Sequence, residues 1–191
     1  MVTAPLPSEL DALVSDLRSP DPAVRDGGAY ASLGRLYEKG GLDDHLVELG
    51  DRGLALLMDS EVQARTFGAL LIALVADRDR LTGRASDGAV RRWLDGVAGW
   101  YADEPDTRGW DDRLGWLHAV AHGADAVLEL ARSGRVGRDG LLRLLRVLVY
   151  RATALTTSHW SQNEDERVAL AVMAVLQRDV LDAAHVAAAV R

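Results

Sequence analysis

The segment S-E-V-Q-A-R-T-F-G-A-L-L-I-A-L-V, residues 60–75, carries the pattern on which the fold prediction rests. An acidic residue lies near the start of this segment, and an arginine lies in the first turn of the expected helix. Small residues then alternate with large apolar ones. Residues 20–36, 110–122 and 164–177 follow the same order. Because small residues allow close helix approach, each of these segments is expected to pack against its neighbours.

The arginines of the four segments give the length of the repeat. They fall 40, 48 and 54 residues apart, at Arg25, Arg65, Arg113 and Arg167. One further helix fits into each gap, which is the period of HEAT-like helical hairpins. We therefore expect an all-α fold of about nine helices, a short right-handed solenoid of stacked antiparallel hairpins. The arginines are expected to pair with acidic caps of their own or the next hairpin.

Capping residues and apolar periodicity give the expected helix boundaries. Several helices are predicted to begin at Ser, Asp or Asn, whose side chains accept hydrogen bonds from free backbone N–H groups. The predicted helices are Ser8–Leu17, one opened by Asp21 and Pro22 that stops at Gly40, one from Asp43 or Asp44 through Leu57, Glu61–Ala76, Ala89–Tyr101, Asp111–Ala131, Leu141–Leu155, one from Ser161 or Asn163 through Leu176, and a last helix reaching Val190. No segment shows convincing strand alternation.

The composition excludes several classes of protein. A chain of 191 residues is expected to form a single domain over residues 1–191. Without cysteine it has no disulfide, thiolate metal ligand or cysteine nucleophile. The formal net charge of −7 disfavours nucleic acid as a partner. No apolar run approaches the roughly 20 residues needed to cross a bilayer, and residues 1–16 do not resemble a secretory signal. We expect a cytoplasmic protein without a membrane partner.

A strip of titratable residues is the first part of the candidate site. If Asp111–Ala131 is one helix, His118, His122 and Asp125 share a narrow arc at the edge of its apolar face. Two neutral imidazoles and a carboxylate could supply three ligands to a divalent metal, or act as acid–base catalysts. H-x-x-x-H is a weak signal, and histidines hydrogen-bonded to neighbouring hairpins are an equally good explanation.

Polar residues on both sides of this helix complete the candidate site. Three charged residues precede it in a short loop, and two acidic residues open the helix that should stack beside it. Tryptophan is a common wall for small ligands, although large rings also fill gaps between hairpins. The predicted ligand-binding residues are Glu104, Asp106, Arg108, Trp116, Glu164 and Asp165. Glu164 and Asp165 also fit a purely structural role at a helix N-terminus.

The strings E-P-D-T-R-G and G-W-L-H-A-V-A-H-G-A-D, between Glu104 and Asp125, resemble the signature of a bacterial family of unknown function, DUF2785. V-R-D at 24–26, A-R-T-F-G-A-L at 64–70 and E-D-E-R at 164–167 resemble its flanking blocks, so the resemblance covers nearly the whole chain. It implies an all-helical fold and carries no established activity. The matching positions are Glu104, Asp106, Arg108, Gly109, Gly115, Trp116, His118, His122 and Asp125.

Two function classes follow from these residues. The first is a small-molecule or metal site, with catalysis left open, on the inner face of the solenoid. In that site Arg108 would neutralise an anionic group and Trp116 would pack against the ligand. The alternative is a protein-interaction scaffold without catalytic activity, since helical arrays present concave surfaces to partner proteins. The concentration of titratable groups beside tryptophan favours the first class.

Overall fold

The computed structural model describes residues 6–156 and 158–189, and most of these residues are helical. Within the described ranges the elements, in chain order, are α1 (Ser8–Asp16), a π-helix (Ala23–Tyr30), α2 (Ala31–Glu38), a 3-10 helix (Asp43–His45), α3 (Leu46–Leu57), α4 (Val62–Thr82), α5 (Asp87–Asp103), β1 (Trp110–Asp111), β2 (Gly115–Trp116), α6 (Ala119–Arg132), α7 (Arg138–Thr153), α8 (Glu164–Leu176) and α9 (Ala183–Ala189). The helical class is confirmed. Val190, the predicted end of the last helix, lies outside the described residues.

The long helices form two layers. In one layer α6 packs between α4 and α8, and in the other α3, α5, α7 and α9 follow one another. Contacts between the layers join α3 to α4, α5 to α6 and α7 to α8. Within the two described ranges, no helix combines the length and the apolar character that crossing a membrane requires.

Close helix approach depends on glycine at particular core positions. One apolar cluster extends from Leu10 to Ala189 and includes the buried ring of Trp93. Gly50 faces that ring, and Gly123 faces the buried ring of Tyr101. A Cβ atom at either glycine would overlap the ring. Gly68 of the repeat shows the same closeness, since a Cβ atom there would lie 2.8 Å from Leu56 Cβ and 2.9 Å from the Gly53 carbonyl oxygen of α3.

The predicted helix Asp111–Ala131 is wrong at its start, because α6 begins only at Ala119. Residues 110–116 form a small hairpin instead, in which Trp110 of β1 pairs with Trp116 of β2. The expectation of no strand is wrong here as well. We call residues 110–116 the hairpin from this point on.

Local hydrogen bonding explains why the hairpin replaces a helix. The Asp111 carboxylate accepts hydrogen bonds from the backbone N–H groups of Arg113 and Leu114, both at 2.9 Å. Aspartate side chains that bond nearby backbone in this way compete with helix formation. Gly115 then adopts a left-handed conformation at φ +70°, which glycine tolerates without steric cost.

Three of the four repeat arginines bind a carboxylate. The pairs are Arg25 with Asp26 at 2.7 Å, Arg65 with Glu104 at 2.6 Å and Arg167 with Asp125 at 2.6 Å. Arg113 was expected in the first turn of a helix, but it lies in the exposed turn of the hairpin. Pairing with a carboxylate is therefore observed for three arginines, but pairing with a helix cap is not general. Glu104 directly follows α5, Asp26 lies in the first turn of the π-helix, and Asp125 lies in the middle of α6.

Two carboxyl groups meet where α4 packs against α6. Asp77 accepts hydrogen bonds from the Tyr37 hydroxyl and from Arg80. Glu129 accepts a hydrogen bond from Arg132 at 3.0 Å, and its second carboxylate oxygen is buried without a partner among the described residues. Burial and the nearby charge of Asp77 raise the pKa of Glu129 to about 7.

Glu129→Gln is expected to remove a pH-dependent part of the stability. Since the folded pKa of about 7 exceeds the ordinary value of 4.5, the contribution of this proton is complete below pH 4.5 and is lost as the pH rises through 7. The neutral glutamine should match wild type at pH 5 and be more stable at pH 8. Urea denaturation at both pH values measures this. Glu38→Gln, at an exposed residue of α2, is the control; an identical response of both variants would contradict the prediction.

Candidate functional site

His118 immediately precedes α6 and has an unusual backbone conformation. Its φ of 48° lies in the left-handed region, and its carbonyl oxygen accepts a hydrogen bond from the His122 N–H at 2.8 Å. A non-glycine residue in this region costs of order 1–3 kcal/mol, and such residues concentrate at functional sites. The fold therefore holds His118 in a strained position at the first turn of α6.

The His118 ring lies between the rings of Trp116 and His122, with centroid distances of 4.5 and 5.6 Å. Its Nε2 atom is buried and has no hydrogen-bond partner among the described residues. The Oε1 atom of Glu164 lies 3.8 Å away, which is too far for a hydrogen bond. Burial lowers the pKa of His118, Glu164 opposes this and Arg167 adds to it, so the ring is neutral at pH 7.

His122 is the more deeply buried of the two histidines. Its residue exposure is 8%, and its ring packs edge-on against Phe67 at a centroid distance of 5.3 Å. The Nδ1 atom is buried and has no hydrogen-bond partner within the described ranges. Burial, with smaller effects of His118 and Arg167, lowers the pKa of His122 to about 3. The ring is therefore neutral throughout the physiological range.

Glu164 places a buried carboxylate beside these rings. It is the first residue of α8, its side chain is 1% exposed, and its Oε2 atom accepts a hydrogen bond from the Gln162 N–H at 2.7 Å. Gly109 faces its Oε1 atom, which a Cβ atom at that position would overlap. The glycine of the E-P-D-T-R-G string thus provides the space that the carboxylate occupies near His118.

Arg25 also lies close to this site, although it was predicted only as one of the four repeat arginines. Arg25 belongs to the π-helix, is completely buried, and lies with its guanidinium 4.8 Å from the centroid of the Phe67 ring. Tyr30, at the end of the π-helix, packs edge-on against the same ring at 5.8 Å. π-Helices are rare and are often found at functional sites. In the sequence, the signal that could have pointed to Arg25 was its place among the four repeat arginines.

Glu104, one of the predicted ligand-binding residues, is engaged within the protein. Both carboxylate oxygens accept hydrogen bonds from Arg65, at 2.6 and 2.8 Å, and Trp100 Nε1 donates a third at 2.7 Å. The Asp106 N–H donates a fourth at 3.0 Å. The side chain is 1% exposed. In this arrangement Glu104 fixes the start of the loop.

Asp106 and Arg108 bind each other on the surface of the same loop. The Arg108 guanidinium also contacts Asp111 at 2.5 Å, which ties the loop to the hairpin. Two surface grooves of about 340 and 310 Å³ lie along this loop, and the predicted residues Glu104, Asp106 and Arg108 contribute to their walls. Among the described residues lining these grooves, neither histidine appears.

The remaining predicted residues have separate surroundings. Both oxygens of Asp125 accept hydrogen bonds from Arg167, at 2.7 and 2.6 Å, while burial raises the pKa of Asp125. Asp165 is exposed on α8. Trp116 is 38% exposed and packs against Trp110 at a centroid distance of 4.8 Å as well as against His118.

The structure does not bring the predicted metal ligands His118, His122 and Asp125 into one coordination site. In residues 6–156 and 158–189, no group of three or more histidine, aspartate or glutamate side chains is placed to hold a metal ion. The helical spacing behind the prediction is wrong for His118, which precedes the helix. The metal assignment therefore stays a prediction that this geometry does not favour.

Comparisons with known proteins identify one family. A family model described as "Protein of unknown function (DUF2785)" matches residues 55–191. This range contains the blocks at 64–70 and 164–167 and the central string from Glu104 to Asp125, whereas V-R-D at 24–26 lies before it. The resemblance to this family is therefore confirmed over residues 55–191. No curated protein and no solved structure matches the chain.

Proposed function

We propose, for a chain that belongs to the DUF2785 family, that His118, His122 and Glu164 form the binding site of a small ligand that carries a hydroxyl group. One observation carries the proposal: His118 Nε2 and His122 Nδ1 are buried without hydrogen-bond partners in the described part of the chain, and a buried carboxylate lies beside one of them. Buried polar atoms are nearly always paired, so such atoms mark a place where a ligand or a water binds.

A hydroxyl group fits the space between His118 Nε2 and Glu164 Oε1. These atoms are 3.8 Å apart, and one oxygen atom can lie within hydrogen-bond distance of both. A hydroxyl both donates and accepts, so it can donate to the carboxylate while it accepts from the imidazole. The exposed part of the Trp116 ring is available to pack against the carbon skeleton of the ligand.

The same arrangement is suited to acid–base chemistry. A carboxylate that accepts the hydrogen bond of the hydroxyl can take its proton as a general base, while the Nε2–H of the neutral imidazole stabilises the oxygen that is left. In this interpretation His118 and Glu164 act on the hydroxyl, and His122 orients the His118 ring. The strained backbone of His118 supports a functional role, since a glycine would adopt it at lower cost.

Native mass spectrometry of the purified protein tests the proposal. We expect the native mass to exceed the denatured mass by that of a small molecule, and we expect the excess to vanish in His118→Ala and in Glu164→Gln. Elemental analysis of the same samples distinguishes an organic ligand from a metal. If no mass is retained, a panel of sugars, polyols and phenols is titrated while NMR follows the His118 ring. A panel that leaves this ring unchanged would overturn the proposal.

His118→Gly and His118→Ala form a matched pair that measures the strain. Both remove the ring, and both should abolish ligand binding. Alanine retains the steric cost of φ 48°, whereas glycine does not. The free energy of unfolding of the glycine variant is therefore expected to be about 1 kcal/mol higher than that of the alanine variant. Urea denaturation provides the comparison. Equal stability of the two variants would show that the backbone of residue 118 is not strained.

One observation favours the alternative function, a protein-interaction scaffold. Leu170, Met173 and Leu176 lie on one side of α8 and are 44%, 52% and 44% exposed. Contiguous exposed apolar surface is typical of interaction sites. If a partner protein co-purifies with the wild-type chain and is lost in Met173→Glu but retained in His118→Ala, the scaffold is the better description.

We further propose that the two helical layers are a short right-handed HEAT-like solenoid forming one domain. The order of contacts supports this, since α4, α6 and α8 are neighbours in one layer and α3, α5, α7 and α9 in the other. In such stacks each hairpin contacts mainly the next one. The continuous apolar cluster from Leu10 to Ala189 supports a single domain.

A further inference from the structure

The hairpin has little internal structure to hold it in place. Each strand has two residues, Trp110 and Asp111 in one and Gly115 and Trp116 in the other. An isolated two-stranded hairpin is marginally stable in water even when it is longer. Its position must therefore depend on contacts with other parts of the chain.

A contact with a distant part of the chain comes from Arg25, 89 positions before Leu114. Its guanidinium donates hydrogen bonds to the carbonyl oxygens of Leu114 at 2.6 Å and Trp116 at 3.3 Å. A third bond to the Ser19 carbonyl, at 3.0 Å, fixes the guanidinium from the other side. Hydrogen bonds from a charged donor are among the stronger ones in proteins. The Nε atom lies 2.7 Å from Asp26 but without hydrogen-bond geometry.

Backbone packing adds to this contact. Gly115 approaches the Pro22 ring so closely that a Cβ atom would lie 2.8 Å from Pro22 Cγ. Pro22 immediately precedes the π-helix. The segment that carries Arg25 therefore supports the hairpin through the Arg25 guanidinium and through the Pro22 ring.

The hairpin covers the proposed binding site. Trp116 lies against the His118 ring, whose Nε2 atom is buried, so a ligand can reach this atom only if a neighbouring group moves. Among the described neighbours of the ring, His122 and Glu164 belong to helices, whereas Trp116 belongs to the hairpin. The hairpin is therefore the element that can move at the lowest cost.

We infer that Arg25 is a positioning residue: it holds the hairpin closed over His118, and the site opens when its hydrogen bonds to Leu114 and Trp116 break. The identity of the ligand rests on the proposed function, whereas the closing contact does not. Arg25 precedes the family match at residues 55–191, so the segment before the match completes the site.

Arg25→Met and Arg25→Lys test the inference in the ligand-free protein. Hydrogen exchange at the Leu117 and His118 amides, which both donate to the Gly109 carbonyl, reports opening of the hairpin. We expect exchange at least about tenfold faster in Arg25→Met, because charged hydrogen bonds are lost. An NMR titration should show the pKa of His118 moving up toward 6.5 as burial is relieved. Arg25→Lys keeps the charge but has a single donor group, so its exchange rate and its His118 pKa should lie between those of wild type and Arg25→Met.

Arg113→Met, in the exposed turn of the same hairpin, is the matched control and should change neither measurement. A folded Arg25→Met variant with wild-type exchange and titration would overturn the inference. So would an equal increase in exchange at the Val127 amide in the middle of α6, because that would indicate general destabilisation. If Arg25→Met does not fold, the lysine variant decides by the same two measurements. Since these measurements need no ligand, failure of the binding experiments is a separate outcome.

Discussion

Replacing Glu104 by alanine is expected to lower the free energy of unfolding by about 3–5 kcal/mol. The carboxylate is 1% exposed and accepts two hydrogen bonds from Arg65 and one from Trp100. Its removal leaves the Arg65 guanidinium, 16% exposed, without its carboxylate, and it leaves a buried indole N–H unpaired. Breaking one partner of a buried ion pair is costly because the remaining charge is desolvated. Urea denaturation of the variant and wild type measures the loss.

An exposed ion pair provides the comparison for this prediction. Asp95 and Arg143 also form a salt bridge, but both side chains are about half exposed. Asp95→Ala is therefore expected to cost less than about 1 kcal/mol. The double variant Arg65→Met, Glu104→Leu should recover part of the loss, since it leaves no unpaired charge. Equal effects of Glu104→Ala and Asp95→Ala would mean that burial does not govern the contribution of Glu104.

Gly123→Ala is expected to destabilise the protein by about 1–3 kcal/mol, although alanine is the better helix former. The added Cβ atom would overlap the Tyr101 ring. That ring is 1% exposed, and its hydroxyl donates to the Val120 carbonyl at 2.9 Å, so the ring cannot move aside without losing packing and a hydrogen bond. Chemical denaturation of the variant gives the change in free energy.

Gly99→Ala is the matched control for the same chemical change. Gly99 is also helical, in α5, but no atom outside its own helix lies within 4 Å of the position of its Cβ. Without a clash, the gain in helix propensity should stabilise the protein by up to about 1 kcal/mol. The two variants should therefore shift stability in opposite directions. A shift in the same direction would contradict the assignment of Gly123 as a point of close helix contact.

Several helices could be predicted from the sequence because their apolar periodicity is a local signal, although the side-chain caps predicted for α1 and α8 are not formed. The predicted helix Ser8–Leu17 is observed as Ser8–Asp16, and the helix predicted through Leu176 ends there. The failure at Asp111–Ala131 is also local in origin. The apolar period continues through the hairpin, whereas an aspartate side chain and one left-handed glycine determine the backbone.

Much of the candidate site could not be predicted because its contacts are distant in sequence. A helical wheel places His118 near His122 but does not show that the carboxylate of Asp125 binds Arg167 on another helix. That outcome depends on how α6 and α8 are rotated against each other. Likewise, Arg25 meets the carbonyl of Leu114 across 89 positions, and no spacing within one helix indicates it. The resemblance located the segment but not these partners.

The π-helix Ala23–Tyr30 contains more residues per turn than an α-helix would, so it accommodates an additional residue between its two ends. A π-helix closes each hydrogen bond over five residues, whereas an α-helix uses four and turns by about 100° per residue. Deleting Gly27 and letting the segment revert to an α-helix would leave the direction of Arg25 relative to Tyr30 almost unchanged, because about five residues of a π-helix and about four of an α-helix both complete roughly one turn. A one-residue gap at this point in a homologous sequence is therefore compatible with a tryptophan hairpin that keeps its guanidinium support, whereas replacement of the arginine removes that support even in a chain of equal length.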